Sequence, residues 1–248
     1  MNNILLIDKP AGWTSFDVVA KVRSQIRQNY QSRGEKPTKR QLKVGHAGTL
    51  DPFATGLLII LLGDECQHAQ QYLKLDKVYE FTAKLGEVST TGDPEGDISA
   101  FVIPDSDRES SKIMDPLIKS EDDKPSIEEI KQTLKQFTGE ILQKPSAYSA
   151  IKIDGKRAYK LAREGKTVEM PTRSVTVRAL DIMKYQYPYL QARCQVSSGT
   201  YIRSLVEDIG QKLQVGAYCV ELRRTRVGRW DIADALTIEH ALKVLQTE

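Results

Sequence analysis

Apolar residues form an unbroken block from Ile4 to Ile7, whereas beyond Thr14 they fall at helical intervals, at Val19, Val22 and Ile26. The block predicts a short buried strand and the intervals predict an amphipathic helix. Thr14-Ser15-Phe16-Asp17 has capping-box spacing, so the helix should open at Thr14, and the pattern fades near Gln28. Between Gly56 and Gly63 every residue is apolar, the pattern of a strand buried on both faces. Around Tyr79 the period changes to two. Tyr79, Phe81, Ala83 and Leu85 alternate with Glu80, Thr82 and Lys84, which predicts a half-buried strand.

Ser126 and Glu129 form a second capping box, followed by a helical stripe of Ile127, Ile130, Leu134 and Phe137. Strand-like sequence follows at Tyr148 to Ile153, a turn at Asp154-Gly155, and a short helix from Lys156 to Glu164 that Gly165 stops. Two further strands are predicted at Val175 to Tyr187 and Leu190 to Val196. Ile202, Leu205, Val206, Ile209 and Leu213 mark a helix, Tyr218 to Val227 a last strand, and Ile238, Ala241, Leu242 and Leu245 a final helix. Single helices interrupt hairpin-spaced strands without repeating βαβ units. The fold class expected is therefore mixed α-β (α+β), a mainly antiparallel or mixed sheet with helices packed on it and no evident domain boundary.

Composition adds little to this until charge is counted by segment. The chain has 248 residues and a net charge of +3. The balances are +5 up to Ile60, −9 from Leu61 to Glu140, and +7 from Ile141 onward. Basic ends facing one way would suit a polyanion, although solvated faces give the same count. Asn29 to Lys43 holds five basic residues and one acid and reads as a basic loop, while Pro104 to Pro125 reads as an acidic surface excursion. Cys66, Cys194 and Cys219 show no CxxC spacing, which disfavours a disulfide framework or a zinc knuckle. The longest apolar run, Leu57 to Leu62, falls far short of the ~20 residues that cross a bilayer. The start lacks a leader pattern, so the cytoplasm is the expected location.

No phosphate-binding glycine loop and no GxSxG elbow occurs, and the three histidines lack metal spacing. What remains is Gly45-His46-Ala47-Gly48-Thr49-Leu50-Asp51-Pro52-Phe53-Ala54-Thr55-Gly56, which runs directly into the apolar strand. Its glycines allow close backbone approach, and Pro52 holds Asp51 in extended or turn geometry. Asp51 is thus presented at a sheet edge, but by spacing alone it reads as an ordinary turn residue before a proline sooner than as a catalytic carboxylate.

Together with Leu6-Ile7-Asp8-Lys9-Pro10-Ala11-Gly12-Trp13-Thr14-Ser15, this loop resembles the opening and active-site motifs of the TruB family of tRNA pseudouridine synthases. Val78-Tyr79-Glu80-Phe81, Ser198-Gly199-Thr200-Tyr201-Ile202-Arg203 and Leu222-Arg223-Arg224 resemble three later motifs in the same order, as does Lys144 to Lys156. The resemblance covers essentially the whole chain. It implies the pseudouridine synthase fold around a central RNA-binding cleft, and a cofactor-free, metal-free isomerase that flips the T-loop uridine at tRNA position 55 and rejoins it as a C-glycoside. It assigns Asp51 as the carboxylate, by attack on sugar or base or by an elimination route. Arg203 would pair with Asp51 and keep it ionised, and Tyr79 would stack on the base and assist at C5. Leu222 and Tyr201 would line the base pocket, and His46 would hold the extruded nucleotide. Lys21, Arg23, the Arg33 to Lys43 loop, Arg223, Arg224, Arg226 and Arg229 are candidates for RNA backbone contact.

Residues 1–248 are expected to be one catalytic domain with insertions at 29–43 and 104–125. The sequence stops at Glu248 after a helix, so the family's C-terminal PUA-like domain is not expected. The expected partner is tRNA through its T-arm, with no membrane, no obligate protein partner and a monomeric enzyme. Two other readings fit the motifs less well: a guide-RNA-dependent synthase resembling dyskerin, and a tRNA chaperone that binds without catalysis.

Overall fold

The structure is a computed structural model that describes residues 3–102, 124–149, 151–153 and 155–247. Most of the expected 104–125 insertion, and Asp154 of the expected turn, lie outside the described residues. In chain order come β1 (Ile4–Lys9), α1 (Ser15–Ser32), β2 (Val44–His46), β3 (Thr55–Leu62), a 3₁₀ turn (Gly63–His68), α2 (Ala69–Leu73) and β4 (Lys77–Leu85). Next are β5 (Glu87–Ser89), β6 (Ile98–Ala100), α3 (Ile127–Gln136), β7 (Gly139–Gln143), β8 (Lys152–Ile153), β9 (Lys156–Arg157) and α4 (Ala158–Arg163). The chain closes with β10 (Arg173–Gln186), β11 (Tyr189–Val196), α5 (Ile202–Lys212), β12 (Ala217–Val227), β13 (Trp230–Asp231), a 3₁₀ turn (Ile232–Asp234) and α6 (Ile238–Thr247).

Two compact units result, one of Met1–Glu80 with Leu222–Glu248 and the other of Phe81–Glu221. In the first, the hydrogen-bonded order is β1-β3-β12-β4, with β2 also on β3 and β13 on β12. β1 and β2 pair antiparallel with β3, but β12 joins it parallel, Arg224 opposite Gly56. β3 is buried on both faces as its sequence predicts. Leu58, Ile60 and Leu62 pack with Val18, Val19 and Val22 of α1 and with Ala241 and Leu245 of α6. Leu57, Ile59 and Leu61 pack with Ala47, Tyr72 and Val227 on the other side. Each such side chain contributes about 1.5–3 kcal/mol on burial, which makes β3 the anchor of the loop that precedes it.

The predicted N-terminal box of α1 is present, with Thr14 Oγ1 accepting from Asp17 N–H and the Asp17 carboxylate accepting from Thr14 N–H. The helix runs one turn beyond the predicted end at Gln28. Gln25 donates to Asn29 at 2.9 Å one turn along, and Asn29 donates to the Leu245 carbonyl of α6. The 29–43 loop is correspondingly shorter, since its first four residues are helical.

In the second unit the order is β4-β11-β10-β7, with the small pairs β5-β6 and β8-β9 alongside. β10 and β11 form a long antiparallel hairpin, and β7 pairs with β10 from Arg173↔Gln143 to Val177↔Gly139. β11 alternates exposed and buried residues along its whole length, so one face is wet. α3 opens on its predicted box of Ser126 and Glu129 and packs against β10 and α5. Of the strand expected at Tyr148 to Ile153, only Lys152–Ile153 is a strand among the described residues.

Candidate active site

The Asp51 loop is tied down at several points along its main chain. Ser15, at the first turn of α1, accepts from Leu50 N–H at 2.9 Å and donates to Leu50 O at 3.3 Å. Gly12 N–H donates to Pro52 O at 2.8 Å, and the fully buried Lys9 ammonium donates to Pro10 O, Trp13 O and Pro52 O at 2.8, 2.7 and 3.3 Å. Ala54 N–H closes a turn on Asp51 O at 3.1 Å. From the other side Arg224 donates to Leu57 O at 2.8 Å and Gly48 O at 3.1 Å. The opening motif therefore serves as the floor under the second one. Its buried lysine and serine satisfy carbonyl and amide groups that a loop would otherwise leave to water.

His46 ends β2 and is half-buried. Desolvation and, secondarily, the Arg224 charge lower its pKa, which favours the neutral imidazole. Its Nδ1 is buried with no hydrogen-bond partner among the described residues. This suits a role in holding a ligand rather than in carrying a charge. Tyr79 on β4 and Leu222 on β12 are buried. Strand alternation puts Tyr79 on the face of Lys77 and Leu222 on the face of Arg224. Lys77 and Arg224 both approach Gly48 of the Asp51 loop, so the four share one side of that unit.

Arg203 and Tyr201 belong to the second unit. The buried Gln143 side chain accepts from Tyr201 N–H at 2.8 Å and donates to Tyr201 O at 2.9 Å, fixing the start of α5. The Arg173 guanidinium lies over the Tyr201 ring at 4.8 Å, a cation–π contact. Arg203, in the first turn of α5, is buried and pairs with Asp93 at 2.9 Å, while donating to Thr91 O at 2.7 Å and Tyr148 O at 3.3 Å. Asp93 was not singled out by the sequence, where it belongs to an acidic stretch that reads as solvated. Glu207, one turn further along α5, has its pKa pushed up to about 7 by burial, partly opposed by Arg203; burial also lifts Asp208 to about 6.

One group of basic residues needs correcting. Arg224 is 1% exposed, so it cannot serve as an RNA backbone contact; its charge is spent on carbonyls of the Asp51 loop. Its neighbour Arg223 is half-exposed, with both terminal nitrogens on the Asp8 carboxylate at 2.7 and 3.0 Å. Arg226 pairs with Asp231 at 3.4 Å, and Arg229 lies over Trp230. Arg23 donates to Val44 O at 2.9 Å, so it too has a structural partner. Among the described residues no cluster of three metal-ligating side chains occurs, and no helix is long and apolar enough to cross a membrane.

Comparison with known proteins bears on the same residues. The description "TruB family pseudouridylate synthase (N terminal domain)" matches residues 36–202, and "tRNA pseudouridylate synthase B C-terminal domain" matches 203–248. The chain is 39% identical over 242 residues to tRNA pseudouridine synthase B of Corynebacterium diphtheriae, covering 96% of this chain and 71% of that protein. It is 39% identical over 245 residues to the protein of the same name from Chloroherpeton thalassium, covering 98% and 90%. Among solved structures, a Cbf5-Nop10-Gar1 complex matches with a TM-score of 0.63 and 26% identity over 97% of this chain. The chain spans about half the length of that solved chain, 53%. A mixed sheet of this order, a carboxylate loop held by its own opening motif, and relatives this close over nearly the full length place the chain in the TruB family of pseudouridylate synthases.

Proposed function

We propose that this chain isomerises uridine to pseudouridine in the T-loop of tRNA, at position 55, without a cofactor. The observation that carries the reading is the Asp51 loop itself, a carboxylate between glycines whose backbone is locked by Ser15, Lys9 and Arg224. That rigidity is what a reaction at a sugar carbon requires, because the reacting atoms must be presented within a fraction of an ångström. Relatives named tRNA pseudouridine synthase B support tRNA as the substrate.

The uridine must leave its stack at a cost of a few kcal/mol, and stacking on an aromatic ring recovers roughly 1–3 kcal/mol. Tyr79 is the stacking ring, with His46, Tyr201 and Leu222 holding the extruded nucleotide. Asp51, Tyr79 and Arg203 are the catalytic residues. The N1–C1′ bond breaks, the detached uracil turns, C5 joins C1′, the C5 proton is released to solvent, and N1 takes up a proton in its place. Asp51 acts on the sugar or the base, by addition or by elimination. The enzyme works as a monomer in the cytoplasm and needs no guide RNA.

The test is tritium release from C5-labelled uridine in unmodified tRNA, with purified protein alone. Release of one tritium per tRNA is expected, mapped to the T-loop. Release only when a guide RNA is supplied would turn the reading toward a guide-dependent synthase, and tight binding without release toward a chaperone.

A further inference from the structure

Arg224 is the largest side chain to be fully enclosed among the described residues, and its surroundings are unusual for a cation. Its nitrogens face main-chain carbonyls: Gly48 O at 3.1 Å, Thr49 O at 3.5 Å and Leu57 O at 2.8 Å. Among the described residues no carboxylate pairs with it. A second buried cation, Lys77, donates to Leu73 O and Leu75 O at 2.9 and 2.6 Å, and burial and the Arg224 charge bring its pKa down to about 8. Two enclosed positive charges side by side are costly, and only the carbonyls that each cation serves offset that cost. Charge pairing therefore does not account for the arginine.

Geometry does. Gly48 and Thr49 begin the segment that carries Asp51, Leu57 follows its end, and one planar guanidinium reaches both sides. The Arg224 main chain is registered on Gly56 in the parallel pairing, so tightly that a Cβ at Gly56 would come 2.3 Å from Arg224 O. We infer that Arg224 is a positioning residue, whose side chain and backbone together hold the two ends of the Asp51 loop at a fixed separation and so fix where the carboxylate meets the ribose or base. Lysine cannot replace it, because an ammonium is a point charge without the fork that spans several acceptors. The inference rests on the reading of Asp51 as the reacting carboxylate.

The full chain is tested as Arg224→Lys and Lys77→Met, measuring single-turnover tritium release at saturating T-arm stem-loop, RNA Kd and thermal unfolding. Arg224→Lys is expected to bind RNA within about threefold of wild type yet react roughly 30- to 100-fold more slowly, the loss a displacement near 1 Å produces. Lys77→Met removes a cation from the same region but no bond to the loop, so its melting temperature should change while its rate stays within about threefold. An Arg224→Lys rate within threefold of wild type would overturn the inference, as would equal slowing by Lys77→Met, which would mark a general packing effect. If Arg224→Lys does not fold, Gly48→Ala approaches the same contact from the loop: its Cβ would stand 3.4 Å from Arg224 Nη1 at a φ of +110°. The same slowing with retained affinity is expected there, and full activity would overturn the role. Wild-type protein that binds RNA but releases no tritium would overturn the functional reading as well, whereas an active wild type beside an equally active Arg224→Lys overturns the positioning role alone.

Discussion

Arg203 and Asp93 stand 2.9 Å apart with only 3% and 5% of their side chains exposed, an ion pair closed off from water within the second unit. Removing one partner strands the other charge in a medium that solvates it poorly. Asp93→Ala should therefore lose about 3–5 kcal/mol of stability in urea unfolding. A loss below about 1 kcal/mol would mean that the remaining partners of the guanidinium, Thr91 O and Tyr148 O among them, satisfy it without Asp93.

Glu207 gives this unit a pH dependence of predictable sign. Its folded pKa of about 7 lies above the ordinary 4.5, so between those values the folded chain holds more proton than the unfolded one. Stability falls as pH rises through that window. Glu207→Gln should flatten the slope between pH 6 and 7, leaving below pH 6 the smaller contribution of Asp208. Denaturant midpoints measured every half pH unit would check this, and a wild-type midpoint that rises from pH 6 to 7 would contradict it.

Asp51→Asn keeps the shape of the loop but is a far poorer nucleophile or base. Single-turnover isomerisation should vanish while RNA affinity stays within a few fold. Retention of more than a small percentage of the rate would move the chemistry to another residue.

Beyond α1 the basic loop exposes Arg33, Lys36 and Lys39, while Arg40 pairs with Asp64. If these side chains meet phosphates, changing Arg33, Lys36 and Lys39 to Gln should lower the slope of log K against log salt by roughly 0.7–0.9 for each phosphate that is no longer neutralised. Fluorescence binding of a T-arm stem-loop at several salt concentrations reads the slope directly. The single-turnover rate at saturating RNA should not change.

Elements whose cause is local were legible in the sequence. The glycine-bounded apolar run marks β3, the Thr14–Asp17 and Ser126–Glu129 boxes mark two helix starts, and the stripe from Ile202 marks α5. Elements completed by distant partners were not: the last turn of α1 leans on Leu245 O, and β2 exists only as a pairing on β3. The candidate site divides in the same way. Asp51, His46 and Tyr79 stand in motifs, but nothing adjacent to Arg224 in sequence reveals that its acceptors lie 167 and 176 residues away. A basic run reads as a candidate RNA contact until the carbonyls that enclose one of its members are known.

The parallel seat of β12 on β3 also sets an order of assembly. As the chain leaves the ribosome, every residue of the Phe81–Glu221 unit is present before Leu222 appears, whereas the other unit still lacks the strand that completes its sheet. At about 5–20 residues per second, the Asp51 loop waits on the order of 10–30 s after its own synthesis for Arg224 to arrive. During that interval Gly56 has no strand to register on and Gly48 has no guanidinium, so a chain cut short before β12 carries the Asp51 motif in full, held by Lys9 and Ser15 but not from the side of Arg224.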